Sequence, residues 1–214
     1  MIEPISASGI TQVPPTRELS VPLCVDNRKF IAGFQLNHHE HFRRQTRGLQ
    51  AISSTGLLHA LWELPHDIPF PVNSFNELDR ATLESADDGW VKRQGADLLR
   101  EYQPPGVVRS VTVSDHSLKL AISKAAACPP IFRRIAIWRT SACRHNVNSF
   151  ASVKRATALG IGVIVDAGSH TYELVQPAQP MRGLPSVFRW WQAEIAYRNW
   201  ISSREPTDEV GAWA

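Results

Sequence analysis

The side chains best suited to chemistry are cations and small polar residues around the loop SACRHNVNS. They share the ability to donate hydrogen bonds to an anion, and they are Arg139, Arg144, His145, Asn146, Asn148, Ser149, Ser152, Lys154 and Arg155. The loop leads into a predicted helix, where unpaired backbone N–H groups and the helix dipole favour negative charge. Because guanidinium groups offer phosphate a planar fork of donors, the pattern predicts a nucleic-acid contact surface. A capped helix with a solvated basic face is the alternative interpretation.

A second basic patch consists of Arg43, Arg44 and Arg47, which follow the run NHHEHF on a predicted helix. This patch is suited to a nucleic-acid backbone or to an acidic protein. The histidines before it point in different directions on a helix, because ligands on one face need a spacing of three or four. We therefore predict no metal site there.

Charge and composition limit the class of protein. The chain has 214 residues and a net charge of +3, which is too small to indicate nucleic acid by itself. The charges are segregated, however: residues 133–155 contain no acidic residue, whereas residues 77–97 contain six. Three widely spaced cysteines without CxxC spacing favour a reducing, cytoplasmic location. No apolar run approaches the roughly 20 residues that span a bilayer, so no membrane partner is expected.

The N-terminal part, residues 1–75, is predicted to be an arm followed by a helical extension. Residues 1 to about 20 are rich in Pro, Ser and Thr and show no periodicity, which is typical of a tail or of an arm laid on a partner. Residues 21–36 predict a short strand or hairpin. Residues 37–65 predict a helix with Asn37 as its cap.

Residues 76–203 are predicted to form an α/β core with a C-terminal helix, and residues 204–214 a flexible tail. The apolar patterns predict a helix, three strands, a helix, two strands and a final helix, at residues 76–102, 107–113, 118–123, 132–139, 149–159, 160–166, 171–177 and 185–203. Short turns between the first three strands indicate an antiparallel meander. The crossover helix after the third strand predicts that the third and fourth strands are parallel.

This order of elements, over residues 76–177, resembles the core of the PD-(D/E)XK phosphodiesterase superfamily. The resemblance implies a three-layer α/β/α restriction-endonuclease-like core with a mixed sheet, here with an N-terminal helical extension and a C-terminal helix. In that superfamily an Asp opens the second strand, and an acid-x-Lys triplet lies on the third. Asp115 matches the first position, but Ile137-Trp138-Arg139 would occupy the triplet, with no acid and with Arg in place of Lys.

The resemblance therefore implies a degenerate active site at Asp115 and Arg139. Hydrolysis in the superfamily uses carboxylates to hold Mg²⁺, and an arginine cannot act as a base because its guanidinium group stays protonated in proteins. The first expectation is thus a nucleic-acid-binding accessory protein or subunit without a cofactor, with DNA favoured over RNA. A structural ion pair between Arg139 and Asp115 is also compatible with the sequence.

Two other functions stay open. An active Mg²⁺-dependent nuclease would need a relocated carboxylate, for which Glu84, Glu101 and Glu173 are the candidates. The Pro-rich arm and the aromatic C-terminal helix would also suit a protein-interaction subunit of a larger assembly, with a protein partner.

Overall fold

The structure is a computed structural model that describes residues 18–25, 28–140, 148–180 and 186–204. The predicted arm up to residue 17 and the predicted tail from residue 205 lie outside the described residues. In chain order the elements are β1 Leu19–Val25, β2 Arg28–Leu36, α1 His38–Arg47, α2 Thr55–Glu63, β3 Phe70–Pro71, a short 3-10 helix Val72–Ser74, α3 Glu77–Glu84, β4 Val91–Gln94, β5 Asp97–Arg100, β6 Gly106–Asp115, α4 Leu118–Ala126, β7 Arg133–Arg139, α5 Asn148–Ala158, β8 Gly162–Asp166, β9 Thr171–Val175 and α6 Val187–Ser202.

The chain is an α/β protein whose main sheet has six strands in the order β1-β2-β6-β7-β8-β9. The sheet is mixed and has helices packed against it, so the predicted α/β class with a mixed sheet is confirmed, whereas the restriction-endonuclease-like fold stays a prediction. β6, β7 and β8 are parallel, while β1, β2 and β6 pair antiparallel, as do β8 and β9. The predicted hairpin, the parallel pairing of the third and fourth strands and the C-terminal helix are all present. No helix within the described ranges is long and apolar enough to cross a membrane.

The prediction of a strand at residues 118–123 is wrong, because these residues begin α4. The side chain of Ser117 caps this helix by accepting a hydrogen bond from the backbone N–H of Leu120. Its buried residues follow a helical spacing and are Leu118, Ala121, Ile122 and Ala125. The predicted meander of residues 107–139 is therefore replaced by β6, α4 and β7, with the two strands parallel.

The prediction of one helix over residues 76–102 is also wrong. α3 ends at Glu84, and β4 and β5 then form a hairpin whose turn contains Gly95 with φ +65°. A glycine adopts this left-handed conformation without steric cost, which favours the turn over a continuing helix.

Residues 37–105 as a whole leave the main sheet after β2 and return to it at β6. We term them the excursion.

Alternation along the strands places the hydrophobic core on one face of the sheet. The strand pairings place the buried side chains of β1, β2, β6, β7 and β8 on this face, which we term the core face. They include Val21, Ala32, Val111, Val113, Ala136 and Val163. Three helices add buried residues to the same cluster, namely Leu118, Ala121, Ile122 and Ala125 of α4, Ala156 of α5, and Ala193, Ala196, Tyr197 and Trp200 of α6. α4, α5 and α6 thus pack on this face.

The other face of the sheet is much more exposed, and we term it the open face. Alternation and register assign to it Pro22, Lys29, Ile31, Gly33, Val107, Ser110, Thr112, Ser114, Arg133, Ile135, Ile137, Arg139 and Ile164. Ile31 is 47% exposed and Val107 is 43% exposed. The four isoleucines of this face lie outside the core cluster formed by the described residues.

Candidate functional site

Asp115 lies at the end of β6 and is held by two hydrogen bonds. Its Oδ2 accepts from Lys124 Nζ at 2.7 Å, and its Oδ1 accepts from the backbone N–H of Ser117 at 2.9 Å. The hydrogen bond from Lys124 and the one from Ser117 lower the pKa of this carboxyl below its usual value. Asp115 therefore acts as an ionised partner of α4 in this conformation.

Arg139 lies on the neighbouring strand but is not the partner of Asp115. The register pairs Asp115 with Trp138 and pairs Arg139 with Asp166. Because successive side chains on a strand point to opposite faces, Asp115 shares the core face with Trp138, whereas Arg139 lies on the open face. The alternative ion pair between residues 115 and 139 is therefore replaced by the Asp115–Lys124 pair.

The three candidate relocated carboxylates are dispersed. Glu84 ends α3, Glu101 accepts a hydrogen bond from Arg47 at 2.6 Å, and Glu173 is exposed on β9 opposite Ile164. Over the ranges that the structure describes, no group of three or more His, Cys, Asp or Glu side chains is placed to hold a metal ion. The nuclease alternative, with Glu84, Glu101 or Glu173 as a relocated carboxylate, stays a prediction.

The predicted basic patch on α1 is engaged in structural contacts. Arg44 is fully buried: its Nε donates to Glu40 at 2.7 Å, and its Nη1 and Nη2 donate to Glu194 at 2.9 and 2.8 Å. Arg43 donates to Glu40 through two nitrogens, and Arg47 pairs with Glu101. The prediction that Arg44 contacts nucleic acid is wrong for this conformation, because its guanidinium has no access to a ligand. Arg43 and Arg47 already have carboxylate partners.

We term Glu40, Arg43, Arg44, Tyr102 and Glu194 the ion cluster. The Tyr102 hydroxyl donates to Glu194 at 2.9 Å, and the Arg44 guanidinium lies 4.7 Å from the ring centroid of Trp90. Burial alone lowers the pKa of Arg44, but the hydrogen bonds and charges of Glu194 and Glu40 outweigh it and raise this pKa above its usual value. Burial, followed by the charge of Glu194, raises the pKa of Tyr102. Through Arg44 and Tyr102, the cluster therefore links the excursion to Glu194 on α6.

The predicted polar group around α5 is described only in part. Arg144, His145 and Asn146 lie outside the described residues, as do the side chains of Asn148 and Ser149. Lys154 Nζ lies 4.7 Å from the ring centroid of Phe150. Arg155 and Ser152 line a groove of about 480 Å³ between α4 and α5, together with Lys119. This helix groove carries two cations beside a hydroxyl group, and the anion-binding role expected for this region stays a prediction.

A larger groove, missed by the sequence analysis, lies where β1, β2 and β6 meet the end of α4. It has a volume of about 760 Å³, and we term it the hairpin groove. Its polar lining consists of three cations, two hydroxyls, an amide and a thiol, contributed by Arg28, Lys29, Lys124, Thr112, Ser114, Asn199 and Cys24. No carboxylate is among the described residues that line it. The groove continues onto the open face through Lys29, Ile31, Thr112 and Ser114.

The hairpin groove could be recognised only in part from the sequence. Arg28 and Lys29 open a predicted strand, and their adjacency is a visible signal. Lys124, by contrast, reaches the groove because residues 118–126 are helical, and the sequence analysis had assigned a strand there. Asp26 and Asn27 lie outside the described residues.

The chain was compared with protein-family models, with curated proteins and with solved structures, and none of them matches it.

Proposed function

We propose that this protein is a cytoplasmic nucleic-acid-binding accessory subunit, built on a nuclease-like core that has no hydrolytic activity. The observation that carries the proposal is the hairpin groove, whose lining includes Arg28, Lys29 and Lys124 together with Thr112 and Ser114. Cations, hydroxyls and amides are the groups with which proteins hold phosphate and sugar oxygens. The chemistry of the lining therefore fits a phosphodiester backbone better than it fits a neutral or cationic ligand.

The cations of this groove differ in how available they are. Lys124 shares its ammonium group with Asp115, so part of its charge is already compensated. Arg28 and Lys29 are exposed at the start of β2. We therefore assign the main phosphate contacts to Arg28 and Lys29, and an auxiliary contact to Lys124.

The strand order supports the nuclease-like part of the proposal. β1, β2 and β6 form three antiparallel strands, and α4 and the parallel strand β7 follow them. These strands and α4 follow the order that the resemblance implies after its first helix. They lie on other residues than those used in the sequence analysis, and residues 37–105 separate the second strand from the third. On the third strand of this set the open face carries Ser110 and Thr112, at the two-residue spacing of an acid-x-Lys triplet. Hydroxyls then replace both catalytic residues, and the proposed activity is binding without cleavage.

One carboxylate does lie beside these hydroxyls. Glu18 Oε2 is 3.2 Å from the Ser110 hydroxyl, which donates to it. Within the described residues, Glu18 does not belong to a group of three or more His, Cys, Asp or Glu side chains that could hold a metal ion. Glu18 therefore supports a structural contact between the start of β1 and β6.

The helix groove offers a second contact region for the same ligand. Lys119 lines the helix groove and Lys124 lines the hairpin groove, so both grooves border α4. A polyanion that contacts both grooves would gain additional phosphate contacts, and its affinity would become more dependent on salt.

The test is binding of labelled DNA and RNA by fluorescence anisotropy, in single-stranded and double-stranded form. We expect an affinity that falls steeply between about 50 and about 200 mM salt, since phosphate contacts release counterions. The proposal fails if the purified protein binds none of the four ligands at low salt, or if its binding does not depend on salt.

A further inference from the structure

The C-terminal end of α6 is directed towards the hairpin groove. At the start of this helix, Trp190 lines a small pocket together with Gly106, the first residue of β6. Near its end, Asn199 lines the hairpin groove and donates a hydrogen bond to the carbonyl oxygen of Pro22 at 2.7 Å. Pro22 is in register with Thr112, in the second half of β6. The helix therefore runs along the sheet from the amino end of β6 to the groove.

The chain leaves α6 beside this groove. Ser203 follows the helix, and its backbone N–H donates to the carbonyl oxygen of Asn199 at 3.1 Å, so the two residues lie one helical turn apart. Arg204 is the last residue that the structure describes at this end. At a rise of about 1.5 Å per residue, the chain continues from a point within roughly 10 Å of Asn199.

The next ten residues, 205–214, have the sequence EPTDEVGAWA, and we term them the acidic tail. They contain no Lys or Arg, and their three carboxylates are Glu205, Asp208 and Glu209. The lining of the hairpin groove has the opposite sign, since it contains Arg28, Lys29 and Lys124 and, among its described residues, no carboxylate. Opposite charges attract across such a groove, so the tail and the groove are complementary in charge.

Carboxylates elsewhere do not cancel the charge of the groove. Asp115 compensates Lys124 through the hydrogen bond at 2.7 Å, and Asp26, which lies outside the described residues, compensates at most one further cation. Glu18 precedes β1 and lies about 20 Å from Lys29 along the strands, which is beyond the ~10 Å over which exposed charges act at 0.1 M salt. The groove therefore keeps a positive charge that the described residues do not neutralise.

The acidic tail is long enough to reach these cations. Lys29 lies opposite Cys24, which is two residues beyond Pro22 in β1, so about 7 Å separates Lys29 from the contact of Asn199 along the strands. An extended chain spans about 3.3 Å per residue, so residues 205–209 can cover about 15 Å. All three carboxylates of the tail are therefore within reach of the groove.

The apolar residues of the acidic tail also have a counterpart in the groove. Val210 and Trp213 follow the three carboxylates in sequence. The apolar part of the groove lining consists of Pro22, Leu23, Phe30, Ile31 and Val113. Ile31 is 47% exposed, and covering such apolar surface is favourable. The tail thus offers the groove both types of group that its lining can bind.

We propose that the acidic tail binds in the hairpin groove of its own chain and competes there with nucleic acid, and the competition rests on the proposed function. The carboxylates of the tail take the place of phosphates beside Arg28 and Lys29, and Trp213 covers Ile31. Because α6 delivers the tail next to the groove, its effective concentration there is on the order of millimolar, so even a weak contact is populated. Nucleic acid has to displace the tail, which lowers its apparent affinity in proportion to the fraction of molecules whose groove is free.

The first test is carbodiimide cross-linking of the full chain at low protein concentration and low salt. Carbodiimide joins a carboxylate to an amine in contact with it as an amide, while the carbodiimide itself becomes a urea. Peptide mapping of the monomer band by mass spectrometry should show Lys29 joined to the acidic tail, and saturating labelled DNA should lower the yield several-fold. Lys92, which is exposed on β4, is the internal control and should form no cross-link with the tail.

The second test measures affinity by fluorescence anisotropy with variants of the full chain. The tail variant combines Glu205→Gln, Asp208→Asn and Glu209→Gln. We expect it to bind DNA about three- to tenfold more tightly at low salt, which corresponds to a tail that occupies the groove in about 70–90% of molecules. The matched control makes the same charge change at exposed sites of the excursion and should change the affinity less than about twofold; it combines Glu63→Gln, Glu77→Gln and Asp88→Asn.

The possible failures of the two proposals are distinguishable. If nucleic acid binds but Lys29 gives no cross-link with the tail, or gives it only in a dimer band, docking within one chain is rejected and the proposed function stands. If the cross-link forms but the tail variant and its control bind DNA equally tightly, the competition is rejected. If the cross-link forms and neither the unsubstituted protein nor the tail variant binds nucleic acid, the proposed function is rejected and the docking of the tail stands.

Discussion

Two groups of basic side chains in this molecule have similar composition and opposite surroundings. In the ion cluster, Arg43 and Arg44 lie against Glu40 and Glu194, and Arg44 is fully buried. In the hairpin groove, Arg28 and Lys29 lie exposed beside hydroxyls. The carboxylate that determines the role of Arg44 is Glu194, which is 150 residues away in sequence. A run of arginines therefore indicates a binding surface only after the fold has left their charges without carboxylate partners.

Removing a charged side chain is expected to cost more folding stability in the ion cluster than in the hairpin groove. A buried ion pair has lost its hydration, so removing one partner leaves a charge that neither water nor protein compensates. An exposed cation keeps its water, and its loss costs the folded state little. Substitutions in the ion cluster should thus change stability, whereas substitutions in the hairpin groove should change affinity.

The largest effect is expected for Arg44→Ala in the ion cluster. This change leaves the Glu194 carboxylate buried without its cationic partner and removes one of the hydrogen bonds to Glu40, and we expect a loss of roughly 3–5 kcal/mol in the free energy of unfolding. The measurement is urea denaturation followed by tryptophan fluorescence. Arg47→Ala is the control, because the Arg47–Glu101 pair is partly exposed and should contribute less than about 1 kcal/mol. Equal losses for the two variants would contradict the structural role of the cluster.

The next effect concerns affinity and is expected for Lys29→Glu in the hairpin groove. Reversing this charge should weaken nucleic-acid binding by about tenfold at low salt and reduce the slope of log affinity against log salt by about 0.7–0.9. Lys92→Glu, an equal charge change at an exposed site on β4 of the excursion, is the control and should change neither quantity. If both variants lose the same affinity, binding depends on net charge and not on the groove.

A footprint on Cys24 would locate the ligand more directly. Cys24 is exposed and lines the hairpin groove, whereas burial raises the pKa of the Cys128 thiol to about 11 and keeps it protonated near neutral pH. In a Cys143→Ser background, we expect bound nucleic acid to slow the alkylation of Cys24 by several-fold, with Cys128 unreactive throughout. Mass spectrometry of the alkylated peptides gives both rates. Undiminished alkylation of Cys24 at saturating ligand would place the ligand elsewhere.

The smallest effect is expected for Asp115→Asn. Asn retains an acceptor for the Ser117 N–H but no longer neutralises Lys124, so we expect binding to become about two- to threefold tighter at low salt. The same variant tests the nuclease alternative, in which Asp115 would be required for cleavage with Mg²⁺ or Mn²⁺. Cleavage by the unsubstituted protein that Asp115→Asn abolishes, observed on a gel, would replace the binding proposal with a catalytic one.

The secondary structure was predicted correctly where one apolar pattern, that of a strand or that of a helix, continued along a whole segment. The β-branched alternation of residues 107–113 and the apolar strands around Ala136 and Val163 were assigned correctly, as was the helix that ends before Gly160, whose φ is +65°. The prediction failed at residues 118–123, where six residues fit a strand as well as a helix. Leu118, Leu120 and Ile122 alternate as in a strand, but the buried residues are Leu118, Ala121, Ile122 and Ala125, which follow a helical spacing.

The site was harder to predict than the fold because it is assembled from distant segments. The helix groove was anticipated through Arg155, which lies on a helix that was itself predicted. The hairpin groove is lined by both Lys29 and Lys124. The sequence around each lysine does not indicate that the two side chains lie on one surface. The position of Ile135 and Ile137 outside the core likewise depends on which face of β7 the core covers, and that is decided by the packing of α4, α5 and α6.

The pairing of β2 with β6 has a consequence for how the chain folds. These two strands are neighbours in the sheet, yet residues 37–105 separate them, so their pairing must close a long loop and lose the corresponding chain entropy. The excursion has a hydrophobic cluster of its own, centred on Leu58, Leu61 and Leu83, which can form from short-range contacts. Prior collapse of that cluster would bring Leu36 and Gly106 together, and the rate of sheet formation would then follow the stability of the excursion.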